Sequence, residues 1–140
     1  MGNIKELITL SKEHLLIRPF KIEDVGDMYN NWSYEMGYEF LPSDSPHANF
    51  EITYEKIKKI VDSYSDDEIF IWAIEYEKKV IGSIEFVNIS KEDDSCVVKY
   101  YLCSKNKNEK IIKDAIELIE KYLINMLDIK NIKYIDLVNE

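Results

Sequence analysis

Four lysines surround the predicted start of a helix in the stretch KYYLCSKNKNEKIIKDAIELI, residues 99–119. They are Lys105, Lys107, Lys110 and Lys113. Backbone N–H groups at a helix N-terminus attract anions, and ammonium groups beside them add charge-assisted hydrogen bonds. These residue types at this spacing predict a site for a phosphate-bearing ligand. The loop nevertheless has no glycine, the residue that lets a backbone approach a phosphate closely.

The same stretch has an interpretation that needs no ligand. Asn106 would cap the helix, and Glu109, three residues later, would complete a capping box. The lysines would then form a solvated face of the helix. The residues by themselves leave both interpretations open.

Three other side chains have the chemistry of a general base. Glu85 lies in a predicted strand, with Ser83 on the same face. Glu75 lies in the preceding predicted strand, and His47 lies in a loop bracketed by prolines. A carboxylate in a cleft has a raised pKa and suits proton transfer from an amine. A solvent-facing side chain is the alternative for each, and no histidine–cysteine cluster predicts a metal site.

Hydrophobic periodicity predicts the elements that position these residues. Strands are expected at 14–20, 69–77, 80–89, 95–103 and 132–138, and helices at 21–32, 51–64 and 108–127. The last helix has an apolar stripe that runs from Ile112 to Met126. The order β-α-α-β-β-β-α-β predicts a mixed α/β (α+β) fold whose sheet is mainly antiparallel. The right-handed crossover rule places the last strand parallel to 95–103.

Composition fits one globular domain over residues 1–140, with 46% hydrophobic residues and a net charge of −9. That charge disfavours nucleic acid and anionic membranes as partners, and it favours a cationic acceptor such as an amine. Cys96 and Cys103 lie on one predicted strand, where a disulfide would need geometry that extended chain does not give. Reduced thiols and the lack of a signal peptide or apolar span predict a cytoplasmic protein.

Three stretches resemble the GNAT superfamily of acetyl-CoA-dependent N-acetyltransferases, and within it the branch that acetylates ribosomal-protein N-termini. They are HLLIRPFKIEDVGDMYNNW (14–32), WAIEYEKKVIGSIEFVNI (72–89) and SCVVKYYLCSK (95–105). In the family these are the opening strand and helix, the central hairpin, and the strand that leads into the cofactor loop. The resemblance covers essentially the whole chain. It implies the GNAT fold and transfer of an acetyl group to an amine.

The resemblance also implies where acetyl-CoA binds. The pantetheine arm adds to the open edge of the strand at 95–103, which a bulge splays from its neighbour, and the pyrophosphate lies on N–H groups at the following helix start. The family loop reads Gln/Arg-x-x-Gly-x-Gly/Ala, and Lys105, Asn108 and Lys110 occupy its three named positions. The implied cofactor-binding residues are Tyr101, Leu102, Cys103, Lys105, Asn108, Glu109, Lys110 and Ile111. Glu85 and Tyr100 are the catalytic candidates.

Three departures from the family pattern bear on activity. The small residues of the loop are replaced, the acid usual at the position of Val97 is absent, and the chain ends at Glu140 before the family's final helix and two strands. Two functions therefore remain open. One is an N-acetyltransferase acting on a small-molecule amine or a protein N-terminus. The other is a catalytically inactive GNAT-like domain that serves as an interaction or regulatory module.

The last predicted strand, 132–138, leaves an unpaired sheet edge that is rich in apolar residues. Proteins protect such edges from uncontrolled pairing. We expect a second copy of the chain to cover this edge, which gives a homodimer.

Overall fold

The computed structural model describes residues 9–31, 50–64, 71–103 and 109–136. Its strands are β1 (Leu10–Lys12), β2 (Leu15–Pro19), β3 (Ile71–Tyr76), β4 (Lys79–Ser90), β5 (Ser95–Leu102) and β6 (Asn131–Asp136). Its helices are α1 (Val25–Asn31), α2 (Phe50–Ser63) and α3 (Glu109–Leu127), and a 3-10 turn at Ile22–Asp24 leads into α1. The predicted order is confirmed, with one additional strand, β1, at its start.

The strands form one sheet in the order β1-β2-β3-β4-β5-β6. All neighbouring pairs are antiparallel except β5 and β6, which run parallel. The parallel register extends from Ser95↔Asn131 to Tyr100↔Asp136. The predicted mixed sheet and the crossover through α3 are therefore confirmed.

The additional strand β1 is short and is tied to the rest of the fold by charge. It pairs with β2 from Leu10↔Ile17 to Lys12↔Leu15. The Nζ atom of Lys12 lies 3.0 Å from both Asp114 Oδ1 and Glu117 Oε2 on α3. The strand β1 has only three residues, of which one is apolar, and so short a segment shows too little periodicity to predict a strand. It is recognised only in the structure.

Helix α3 covers one face of the sheet. Its buried residues are Ile111, Ala115, Ile119, Tyr122, Leu123 and Leu127. They lie over Ile74, Ile84 and Val98 of the three central strands. The apolar stripe predicted for this helix faces the sheet along most of its length, but the prediction is wrong at its last residue. Met126 is 65% exposed, and Leu127 is buried in its place.

A buried polar network joins the opening strand to the other elements. Arg18 donates from Nη1 and Nη2 to the two carboxylate oxygens of Asp24 at 2.9 Å, and from Nε to Glu75 Oε1 at 2.9 Å. The hydroxyl of Tyr64 accepts from the N–H of Phe20 at 2.8 Å and donates to the carbonyl of Ile71 at 2.6 Å. These bonds fix β2 against the 3-10 turn, the end of α2 and β3.

The second face of the sheet is buried at one end and open at the other. Ile71, Ala73, Ser83 and Tyr101 are 3% exposed or less on this face, and α1 contacts β4. Further rows on the same face become half-buried and then exposed toward β6. This face of the sheet therefore has a partly solvent-exposed area next to its buried part.

Candidate functional site

Glu85 and Lys99 lie opposite each other on β4 and β5, at the border between the buried and open parts of this face. Both side chains are half-buried. Burial raises the pKa of the Glu85 carboxyl, and the positive charge of Lys99 opposes part of that shift. A half-buried carboxylate with a raised pKa suits a general base. Ser83 lies on the same face, as predicted, and is 2% exposed.

The main-chain groups at the end of β5 point alternately toward β4 and toward the side of β6. The N–H of Cys103 donates to the carbonyl of Ile81 at 2.8 Å. Main-chain groups alternate in direction along a strand, so the N–H and C=O of Leu102 point away from β4, toward the side of β6. Pairing with β6 is described as far as Tyr100↔Asp136, the last described residue of β6. Main-chain groups with this orientation are the kind that an extended ligand group bonds when it adds to a strand.

The strand β5 keeps a regular register with both of its neighbours. Its ladder with β4 is continuous from Gly82↔Leu102 to Val87↔Val97. The extra residues at the two register shifts of β4 both belong to β4 itself, near Ile81 and near Asn88. The bulge that the family resemblance implies in the strand at 95–103 is therefore not found in β5.

Gly82 makes the close approach of β4 to β5 possible. A Cβ atom at this position would lie 1.9 Å from the carbonyl oxygen of Tyr101 and 3.0 Å from the Cα of Leu102. Its backbone has no positive φ, so space and not conformation requires glycine here. A glycine inside a strand pattern is a sequence signal for such an approach, so Gly82 could have marked this part of the sheet.

Tyr100 and Glu85 are not on the same face of the sheet. Tyr100 lies on the face that α3 covers, beside Ile112 and Ile116. Burial, followed by the charge of Asp136, raises the pKa of its phenol. The two catalytic candidates thus flank the end of β5 from opposite sides. Tyr101 lies on the face of Glu85 and is 3% exposed.

The start of α3 presents a mixture of exposed charges and one buried anchor. Glu109 and Lys110 are exposed, and Ile111 is 5% exposed. Lys110 is already paired, because its Nζ atom lies 2.9 Å from Asp114 Oδ2. Lys113 is exposed. Four further residues that the sequence analysis placed in the preceding loop lie outside the described residues: Lys105, Asn106, Lys107 and Asn108.

The remaining candidates are placed as follows. Glu75 forms an ion pair with Arg18, so its carboxylate has a structural partner. His47 lies outside the described residues. Cys96 and Cys103 are buried and form no disulfide with each other, and burial raises the pKa of the Cys96 thiol to about 11. The described residues contain no group of three His, Cys, Asp or Glu side chains that could hold a metal ion. In the same residues, no helix is long and apolar enough to span a membrane.

Solved structures of several acetyltransferases share this fold. A ribosomal-protein-S5-alanine acetyltransferase from Vibrio fischeri is 17% identical, with a TM-score of 0.64, and the match covers 91% of this chain and 73% of that one. A ribosomal L7/L12 α-N-protein acetyltransferase is 10% identical, with a TM-score of 0.64 and coverage of 90% and 70%. A spermidine N-acetyltransferase from Vibrio cholerae is 16% identical, with a TM-score of 0.61 and coverage of 88% and 70%.

These identities show a shared fold and leave the acceptor open. A search of the curated proteins found no match to this chain. The sequence pattern of the acetyltransferase (GNAT) domain matches residues 14–136, from before β2 to the end of β6. The family resemblance inferred from the sequence is therefore confirmed. The chain belongs to the GNAT acetyltransferase family, whose members transfer acyl groups to amines.

Proposed function

We propose that this chain is an active N-acetyltransferase that moves the acetyl group of acetyl-CoA to an amine. One observation carries the proposal: the N–H and C=O of Leu102 point away from β4, two residues along β5 from Tyr100 and three from Lys99, the partner of Glu85. A thioester held along the main chain near Leu102 would have an acid–base candidate on each face of the sheet, Tyr100 on one and Glu85 on the other.

The residues at the end of β5 fit the cofactor. The main chain of Leu102 offers one N–H and one C=O to the amide groups of a pantetheine arm, with the buried side chains of Tyr101 and Cys103 fixing the strand. The N–H groups at Glu109, Lys110 and Ile111, together with Lys105 and Asn108, would hold the pyrophosphate. When bound, acetyl-CoA supplies the activated thioester.

Glu85 and Tyr100 have complementary parts in this proposal. The Glu85 carboxylate accepts a proton from the acceptor ammonium or from the attacking amine, and the new C–N bond forms as the C–S bond breaks. The phenol of Tyr100 gives its proton to the departing thiolate. A raised pKa serves both roles, because it makes the Glu85 carboxylate more basic and keeps the Tyr100 phenol protonated.

The alternative is a catalytically inactive GNAT-like domain with an interaction or regulatory role. One observation favours it: the ammonium of Lys110, which was predicted to help hold phosphates, pairs with Asp114. The pair is exposed on the lysine side, at 72%. Exposed pairs of this kind are weak and exchange readily with other anions, so the contact is compatible with a phosphate site.

Calorimetric titration with acetyl-CoA separates the two functions. We expect saturable binding by the wild type. Lys110→Ala should weaken it about two- to fivefold, the effect of one exposed charge contact. Lys121→Ala is the matched control, because it removes the same charge farther along α3 and should leave the affinity unchanged. Absence of binding at millimolar acetyl-CoA would favour the inactive domain.

Three further properties belong to the proposal. The chain would act in the cytoplasm as one domain, and it would form a homodimer through the outer edge of β6. Within the described residues, β6 pairs only with β5, and an unpaired edge invites a second strand. Sedimentation at micromolar concentration tests the dimer. A single species with the mass of one chain would contradict it.

A further inference from the structure

We infer that the amine acceptor is an acidic peptide, which lies along the open part of the sheet next to Glu85. This inference rests on the proposed function. We call this surface the lysine face, and define it by Lys99 and by the neighbouring groove that Lys130 and Lys133 line. The groove has a volume of about 540 Å³. Its lining includes Asn88, Ser95, Val97, Lys130, Asn131 and Lys133.

The strand registers place the β5 and β6 residues of this surface on one face, and Lys130, which precedes β6, lines the groove at its end. Glu85 lies opposite Lys99, and Val97, two residues from Lys99, lies opposite Lys133 of β6. Ser95, two residues further, lies opposite Asn131. Alternate residues of a strand share a face. The groove residue Val97 therefore lies on the next row of this face from the carboxylate proposed as the general base.

The charge of this surface is opposite to that of the whole chain. The chain has a net charge of −9, yet the described residues that line the groove include two lysines and no carboxylate. None of the ion pairs between described residues uses Lys99, Lys130 or Lys133. Lys130 and Lys133 are exposed. Such a patch selects and orients a partner with carboxylate side chains.

The length of the surface favours a peptide over a small amine. From the row of Lys99 to the row of Ser95 is four residues, or about 13 Å at the usual strand rise. That distance matches about four extended residues of a ligand. A small amine at Glu85 would not reach Lys133, whereas a peptide with its N-terminal amine at Glu85 would place its next residues over the lysines.

Two matched peptides test the inference. One is a hexapeptide with a free N-terminal serine followed by three glutamates, and the other has glutamine at the same three positions. Each carries a fluorophore at its C-terminus, and binding is followed by anisotropy at low salt. We expect the glutamate peptide to bind at least about tenfold more tightly, with an affinity that falls as salt is added.

Charge removal on the protein completes the test. The double variant Lys130→Ala/Lys133→Ala should bind the glutamate peptide about tenfold more weakly and leave binding of the glutamine peptide unchanged. The control Lys79→Ala/Lys121→Ala removes two exposed lysines elsewhere and should bind both peptides as the wild type does. Thermal unfolding of all variants confirms that they are folded. Equal binding of the two peptides, or no loss in the double variant, would overturn the inference.

Acetyl transfer to the same peptides separates this inference from the proposed function. Tight binding of the glutamate peptide without acetylation of any amine would contradict the proposed function and support the lysine face. Acetylation of both peptides with the same kcat/KM would support the proposed function and contradict the lysine face. Binding of a single-stranded oligonucleotide in place of the glutamate peptide would also contradict it.

Discussion

A methyl group at Gly82 would lie 1.9 Å from the carbonyl oxygen of Tyr101. The two strands therefore approach each other at a point that only glycine permits. This point is adjacent to Leu102, whose main chain forms the proposed cofactor edge. The fold and the site consequently depend on the same contact.

Replacing Gly82 by alanine should destabilise the protein. The added methyl group meets backbone atoms, which cannot move aside as a flexible side chain does, so we expect a loss of at least about 2 kcal/mol in the free energy of unfolding. Denaturation by urea measures it. Gly26→Ala is the matched control, because nothing lies within 4 Å of a Cβ at that position of α1. It should stabilise the protein by about 0.5–1 kcal/mol. Equal effects of the two substitutions would contradict the close approach.

Glu85→Gln should change stability in a pH-dependent way. The folded state raises the pKa of this carboxyl, so its ionised form is disfavoured by folding. The destabilisation is absent below the ordinary glutamate pKa, where the group is protonated in both states, and it is complete above the raised pKa. We therefore expect the variant to be more stable than the wild type at neutral pH and equally stable in acid. Urea denaturation at several pH values measures this difference.

Glu75→Gln provides the contrast for that experiment. Its carboxylate accepts from Arg18 Nε at 2.9 Å, and both side chains are mostly buried. Loss of this charged hydrogen bond should destabilise the protein by about 1–2 kcal/mol at neutral pH. If both variants changed stability in the same direction at neutral pH, the two carboxyls would not have the different environments described.

Asp24→Ala should be among the most damaging substitutions in the described part of the chain. Asp24 is 3% exposed and receives two hydrogen bonds from Arg18. Its removal leaves the guanidinium short of a partner in a buried position, which costs about 3–5 kcal/mol. Thermal or urea unfolding measures it. The neighbouring exposed residue gives the control, because Glu23→Ala should change stability by no more than about 0.5 kcal/mol.

Tyr64→Phe tests the hydrogen bonds between β2, α2 and β3. The substitution keeps the ring and removes the hydroxyl that bridges the N–H of Phe20 and the carbonyl of Ile71. Two main-chain groups lose a partner, so we expect a loss of about 1–3 kcal/mol. Hydrogen exchange should also show faster exchange at the N–H of Phe20. Unchanged protection there would show that the bridge is absent in solution.

The long elements were predictable from the sequence because their periodicity is strong. The helix at 108–127 and the three strands before it lie within two residues of their predicted bounds. The turn between β3 and β4 was predicted at Lys78–Lys79 and lies at Glu77–Lys78. Both turn residues have positive φ, at 49° and 69°, without the glycine or asparagine that marks such turns in a sequence.

The site was less predictable than the fold. Alternation along β5 places Tyr100 and Tyr101 on opposite faces, but it does not say which face α3 covers. Lys133 is the one lysine within the last strand, and only the parallel register places it beside Val97. Met126 continued the predicted helical stripe, yet the structure leaves it 65% exposed and buries Leu127. The placement of each of these side chains depends on contacts between segments that are distant in the sequence.

The rate of acetyl transfer from acetyl-CoA to a serine-initiated peptide, measured against pH for the wild type and Glu85→Gln, tests the central claim most directly. We expect the wild-type rate to rise with pH as the Glu85 carboxyl ionises, and we expect Glu85→Gln to be at least about 100-fold slower across that range, the usual contribution of a general base. Absence of transfer by the wild type, or an equal rate and pH profile in Glu85→Gln, would contradict it.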